Sequence, residues 1–168
     1  MTTIEHLNAC PVDAFVAEIG FAFEDSPWIA RSAAARRPFA GRDALIGAMI
    51  AVVEGASEAE AVALIRAHPD LAGRVAREGR LTAASAAEQA GAGLGTLSAA
   101  EIARFDADNR AYRERFGFPF VICARENTKD SILAALARRR TNERAVEIAT
   151  ALAEIAKIAR LRIEDAVT

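Results

Sequence analysis

Three times in this sequence a serine stands three residues ahead of a glutamate: Ser57 and Glu60, Ser85 and Glu88, Ser98 and Glu101. A serine at a helix N-cap accepts from the amide three residues on, and a glutamate there reaches back to the cap's own amide. This spacing therefore opens helices. Ser57 leads into Ala61-Val-Ala-Leu-Ile65, and Ser98 into Phe105, Asn109, Tyr112 and Phe116, which share one helical face. Ser26 before Pro27 is a further start, because proline at the first helical position loses no hydrogen bond. Asp13, Asp43, Thr128 and Asn142 are also N-cap candidates, Thr82 stands beside Ser85 as a possible start of the Glu88–Gln89 helix, and Gly55, Gly91 and Gly117 are exits. Alanine is abundant and strand-favouring aromatics are few, so composition agrees. The chain predicts an all-α fold: a single compact domain, residues 1–168, of about eight helices.

One stretch resists that pattern. Phe118-Pro-Phe-Val-Ile-Cys-Ala124 is apolar, β-branched and broken by proline, yet has no second strand to pair with. It predicts an extended segment crossing the interior. Its backbone amides and carbonyls then need partners. Either a polar ligand supplies them or side chains such as Asn109 do.

Charge and cysteine usage exclude several roles. With 21 basic and 23 acidic residues the net charge is -2, which argues against a nucleic-acid surface. The run Arg138-Arg139-Arg140 reads as the cap of a helix C-terminus. Cys10 and Cys123 have neither zinc-ligand spacing nor a disulfide framework, so a reducing compartment is expected. The apolar run over residues 44–53 is too short to span a bilayer, and no secretory or peroxisomal signal is evident. The expectation is a soluble cytoplasmic protein with no nucleic-acid or membrane partner. Gly91, Gly93 and Gly95 follow no strand, so they read as a turn and not a phosphate loop. No metal or cofactor motif is present, so none is expected.

The chemistry-bearing residues gather around His68. Pro69 disfavours helical geometry at His68, so the incoming helix should stop there and leave the imidazole at its C-terminal end. That end favours a protonated ring. Past a basic connector from Arg74 to Leu81 come Ser85, Glu88 and Gln89: a hydroxyl, a carboxylate and an amide on one helical surface. Imidazole plus carboxylate is a minimal acid–base set. The same residues also read as a plain helix end followed by a capping box. Near the C-terminus, Arg162 continues the apolar face of Ile148, Leu152, Ile155 and Ala159. An arginine there either snorkels outward or meets an anion inside. His6 reads as a surface residue.

In sum these residues resemble the 2-oxo-4-hydroxy-4-carboxy-5-ureidoimidazoline (OHCU) decarboxylase family. The matching pieces are Phe23-Glu-Asp-Ser-Pro-Trp-Ile-Ala30, Arg37-Pro-Phe39, Ile65-Arg-Ala-His-Pro-Asp-Leu-Ala-Gly73, Ser85-Ala-Ala-Glu-Gln-Ala90, Asn109-Arg-Ala-Tyr112, Arg115-Phe-Gly-Phe-Pro-Phe-Val-Ile122 and Leu161-Arg162. The resemblance implies a cofactor-independent carboxy-lyase forming (S)-allantoin and carbon dioxide in urate catabolism. It implies His68 and Glu88 as catalytic residues. Pro69, Ser85, Gln89, the backbone of Phe120, Val121, Ile122, Cys123 and Ala124, and Arg162 are implied to bind a small ureidoimidazoline. It further implies a homodimer. The alternative is a non-catalytic helical module that binds a ureide or a protein partner.

Overall fold

The computed structural model describes residues 1–73, 76 and 78–168. Nine α-helices occur among them, and no strand beyond an isolated bridge between Thr2 and Val167, so the fold is all-α. The basic connector includes Arg74, Val75 and Arg77, which lie outside the described residues. The chain divides into two compact units, the first made of Met1–Ala67 with Ala156–Thr168, the second of His68–Ile155.

The first unit holds α1 (Ile4–Ala9), α2 (Val12–Ile19), α3 (Pro27–Ala33), α4 (Arg42–Glu54), α5 (Glu58–Ala67) and the end of α9 (Arg144–Ala166). Its core is Phe15, Ile19, Ile29, Leu45, Ile46 and Met49, all excluded from solvent. Removing such side chains from water supplies about 1.5–3 kcal/mol each. Arg37 ties the α1–α2 corner: its guanidinium donates to the carbonyls of Leu7 at 3.1 Å and Cys10 at 2.6 Å, over the Phe15 ring. Two expected caps are corrected here. Pro11 and Gly41 hold the N-cap positions of α2 and α4, so Asp13 and Asp43 lie two residues deeper, in the first turns. A carboxylate there still faces the positive end of the helix dipole. The Ser57–Glu60 box forms as expected, with Ser57 N donating to Glu60 Oε2 at 2.9 Å. His6 is exposed and pairs with Glu18 at 2.6 Å.

The second unit holds α6 (Ala83–Gly91), α7 (Ala99–Phe116), α8 (Lys129–Arg139) and the beginning of α9. Ser98 and Glu101 form their capping box at the head of α7, and Gly117 at φ 77° ends it in the left-handed region. Phe105, Asn109, Tyr112 and Phe116 line its buried face. Beyond Gly117 the chain runs through Phe118, Phe120, Val121, Ile122 and Cys123 without regular secondary structure, every one of these side chains buried. The Tyr112 ring meets those of Phe116 at 4.7 Å and Phe120 at 5.3 Å, which fastens the segment to α7. Thr128 caps α8. Asn142 does not begin the last helix: α9 opens at Arg144, and Asn142 gives its side-chain amide to Glu147 Oε2 at 2.9 Å. The side chain that would have accepted from a first-turn amide as a cap instead donates to a buried carboxylate, a charge-assisted hydrogen bond.

Candidate active site

α5 ends at Ala67, and His68 stands just past it, buried at 7 % exposure. The residues after it make a tight turn. Ala72 sits at φ 52°, and Gly73 N donates to Asp70 O at 3.2 Å. A Cβ on Gly73 would fall 2.8 Å from Asp70 Cβ and 3.1 Å from its carbonyl oxygen, so only glycine closes this turn undistorted. Three side chains grip it. Arg113 Nη2 donates to Asp70 Oδ1 at 2.8 Å, and Asn109 Nδ2 to Leu71 O at 2.9 Å. From α6, Gln89 Oε1 accepts from Ala72 N at 3.0 Å. Asn109 and Arg113 lie one turn apart on α7, so a single helix face carries both donors. The turn that follows His68 is thereby held from two helices.

Thr82, not Ser85, caps α6: its hydroxyl accepts from Ser85 N at 3.3 Å. The Ser85–Glu88 pair is therefore no capping box. Ser85 sits inside the helix, where its hydroxyl and the Gln89 amide are buried on one face and Glu88 is half-buried. With Oε1 on the turn, Gln89 keeps its Nε2 hydrogens without an acceptor among the described residues. A cavity of about 280 Å³ opens beside it, lined in part by Ala72, Leu81, Ala86, Gln89, Ala90 and Leu94.

The far end of α6's surroundings is the extended segment. α6 packs against the Ala124–Glu126 turn that closes it. Within the segment, Val121 O accepts from Arg139 Nη1 at 2.8 Å, Cys123 N donates to Glu154 Oε2 at 2.8 Å, and Cys123 O accepts from Asn127 Nδ2 at 3.0 Å. The amides of Val121, Ile122 and Ala124 have no acceptor among the described residues. Asn109, offered by sequence as their partner, is instead on Leu71 O, and its Oδ1 is buried without a hydrogen bond among the described residues. Burial pushes the Cys123 thiol up from its ordinary value, with the Glu126 carboxylate adding to it, so Cys123 stays a neutral thiol.

Arg162 belongs to the first unit. The snorkelling alternative is excluded there: its side chain is 4 % exposed, and Nη1 donates to Glu24 Oε2 at 2.9 Å and to Phe21 O at 3.3 Å. The anion it meets inside is the chain's own Glu24. Arg160, two residues earlier, is exposed and lies 3.6 Å from both Asp43 and Glu164. Sequence reading passed over Glu24, Arg113, Arg139 and Glu147. Arg113 was detectable as the residue one turn beyond Asn109, whereas the others carry no local mark of burial. Among the described residues no group of three or more His, Cys, Asp or Glu side chains is placed to hold a metal. No described helix is long and apolar enough to cross a membrane.

A buried imidazole just past a helix end, a buried hydroxyl and amide on the helix that grips the turn after it, and open amides on the segment that helix packs against make up the candidate site of an all-α protein. The chain belongs to the OHCU decarboxylase family, whose model matches residues 8–164. It is 42% identical over 163 residues to the 2-oxo-4-hydroxy-4-carboxy-5-ureidoimidazoline decarboxylase of Haloferax volcanii, covering 97% of this chain and 95% of that protein. It is 41% identical to the enzyme of the same name from Amia calva, covering 96% and 93% of the two chains. The fold is similar to a crystal structure of OHCU decarboxylase in the presence of (S)-allantoin, with TM-score 0.71 and 25% identity over 91% of this chain and 96% of that one. It also matches a crystal structure of (S)-allantoin synthase with TM-score 0.78 and 28% identity, covering 100% of this chain and 54% of that chain.

Proposed function

We propose that residues 1–168 act as one OHCU decarboxylase domain, converting OHCU to (S)-allantoin and carbon dioxide in urate degradation. The observation that carries the reading is the coupling of three parts. Gln89 holds the turn after His68, and its helix packs on the Ala124–Glu126 turn that ends the open-amide segment.

The substrate's carboxylate is β to a ring C=N bond, so the substrate supplies its own electron sink. The carbon–carbon bond breaks, its electron pair moves toward that nitrogen, and carbon dioxide leaves. An enamine-like carbanion remains. His68, protonated, gives a proton to the ureido-bearing ring carbon from one face, setting the (S) configuration; the hydroxyl on the neighbouring carbon becomes the carbonyl as its proton passes to the ring nitrogen, and His68 regains its proton from water. Glu88 orients the imidazole and favours its charged form. Pro69, Ser85 and Gln89 shape and hold the substrate, and the backbone of residues 120–124 offers N–H donors to its ureido or ring edge. The family resemblance gives Arg162 its role on the substrate's anionic or carbonyl oxygens. It also supplies the homodimer, which sedimentation at working concentration tests. A cytoplasmic site of action agrees with two free, buried cysteines.

The test uses freshly generated OHCU, following carbon dioxide release and the optical activity of the product. His68→Asn should lower turnover about 10²–10⁴-fold with helical content intact. Near-normal (S)-allantoin formation by that variant would remove His68 from the chemistry. No acceleration by the unaltered protein would leave a ureide-binding module instead.

A further inference from the structure

Of the three consecutive arginines at the end of α8, the middle one turns inward. Arg139 is buried, and its guanidinium lies 4.4 Å over the centre of the Phe120 ring. Its Nε donates to Glu147 Oε1 at 2.7 Å, and Nη2 lies 2.5 Å from the same oxygen. Glu147 is wholly excluded from solvent and also accepts the Tyr112 hydroxyl on Oε1 and the Asn142 amide on Oε2. Burial and this carboxylate hold the Tyr112 hydroxyl well above its ordinary pKa, so it remains a donor.

Packing by itself is a weak reason for this network. A buried ion pair is commonly replaced by apolar residues of similar size without loss of stability. What apolar residues cannot do is donate to Val121 O, which Arg139 Nη1 does at 2.8 Å. A trans peptide is planar, with its C=O and N–H pointing to opposite sides. Drawing Val121 O toward Arg139 therefore aims the N–H of Ile122 the other way. That amide has no acceptor among the described residues. The next peptide is fixed by the same logic through Cys123 N and Glu154.

We propose that Arg139, braced by Glu147 and Tyr112, is a positioning residue that aims the Ile122 N–H at an acceptor oxygen of the substrate. The inference rests on the reading of residues 120–124 as substrate-binding backbone. It assigns a purpose to a charge pair for which packing by itself is a weak reason.

The deciding variant is the combined Arg139→Met, Glu147→Leu and Tyr112→Phe chain, which removes both charges and the hydroxyl together. It should melt close to the unaltered chain, yet show a KM for OHCU raised about tenfold or more, with kcat changed less. Arg139→Lys keeps a charge for Glu147 but cannot span to Val121 O as well, so it should raise KM in a folded protein too. A purely structural role predicts instead that KM returns to normal whenever stability does. An unaltered KM in either variant, once its melting temperature matches the unaltered chain, overturns the proposal. If the combined variant does not fold, Arg139→Lys decides by the same criterion. Absence of turnover in the unaltered chain would strike the decarboxylase reading itself and carry this inference with it.

Discussion

Replacing Glu24 with leucine strips a buried guanidinium of its carboxylate. The Glu24 and Arg162 side chains are 6 % and 4 % exposed and meet at 2.9 Å, so water cannot take over the role of the missing partner. Removing one member of such a pair costs about 3–5 kcal/mol, chiefly because the surviving charge stays buried. In a chain of this size each 1 kcal/mol moves the melting temperature by about 2–4 °C. Glu24→Leu should therefore melt about 6–20 °C lower. Glu24→Leu combined with Arg162→Met removes both charges and should recover most of that loss. Thermal melts followed by far-ultraviolet circular dichroism, run as a double-mutant cycle, measure both effects. A drop within about 2–4 °C for Glu24→Leu would refute the reasoning. So would a double variant no more stable than the single one. Turnover reads the second role of the same arginine: if Arg162 holds substrate, the double variant regains stability and stays nearly inactive.

The Glu101 carboxyl is held at about 2, below its ordinary 4.5, first by the hydrogen bond from Lys129 and then by Ser98. A carboxyl depressed in the fold contributes stability that is fully present above 4.5 and lost as the pH falls towards 2. The melting difference between the unaltered chain and Glu101→Gln should shrink across that window; a difference that grows on acidification would contradict it. Gly73→Ala forces a Cβ to within 2.8 Å of Asp70 Cβ, so the turn after His68 must shift. A loss of about 1–3 kcal/mol in chemical denaturation is expected, with turnover reduced beyond what stability explains. Normal kinetics in that variant would show that the turn does not position His68.

Helix starts were the most legible layer, because capping chemistry is local: Ser57, Ser98 and Thr128 all cap where their spacing places them. Asp13 and Asp43 stand two residues past their caps, since an acid is favourable both at the cap and in the first turn. The interior path of residues 118–124 was readable from β-branching without a strand partner. Its hydrogen-bond partners were not, for they come from Arg139 and Glu154, residues whose burial depends on tertiary packing alone. Sequence marks Arg139 as one of three consecutive arginines, and nothing local separates the buried one from its neighbours. Asn109, offered by its place on the α7 face as a partner for the backbone of residues 118–124, holds Leu71 O instead. Ser85 and Glu88 showed the limit of motif reading: a perfect capping spacing inside a helix that Thr82 had already begun.

The first unit is split in sequence, and this has a consequence for synthesis. Its last pieces come after the whole of His68–Ile155 has been made. Arg162 follows Glu24 by 138 residues, which at about 5–20 residues per second is a delay of roughly 7–28 s on the ribosome. During that interval Glu24 has no Arg162 to enter the core with. The uninterrupted second unit has all its own residues before then. Order of completion is thus written into the chain: every residue of the part bearing His68 is made before Arg162, and Glu24 meets its arginine only once the final helix has been synthesised.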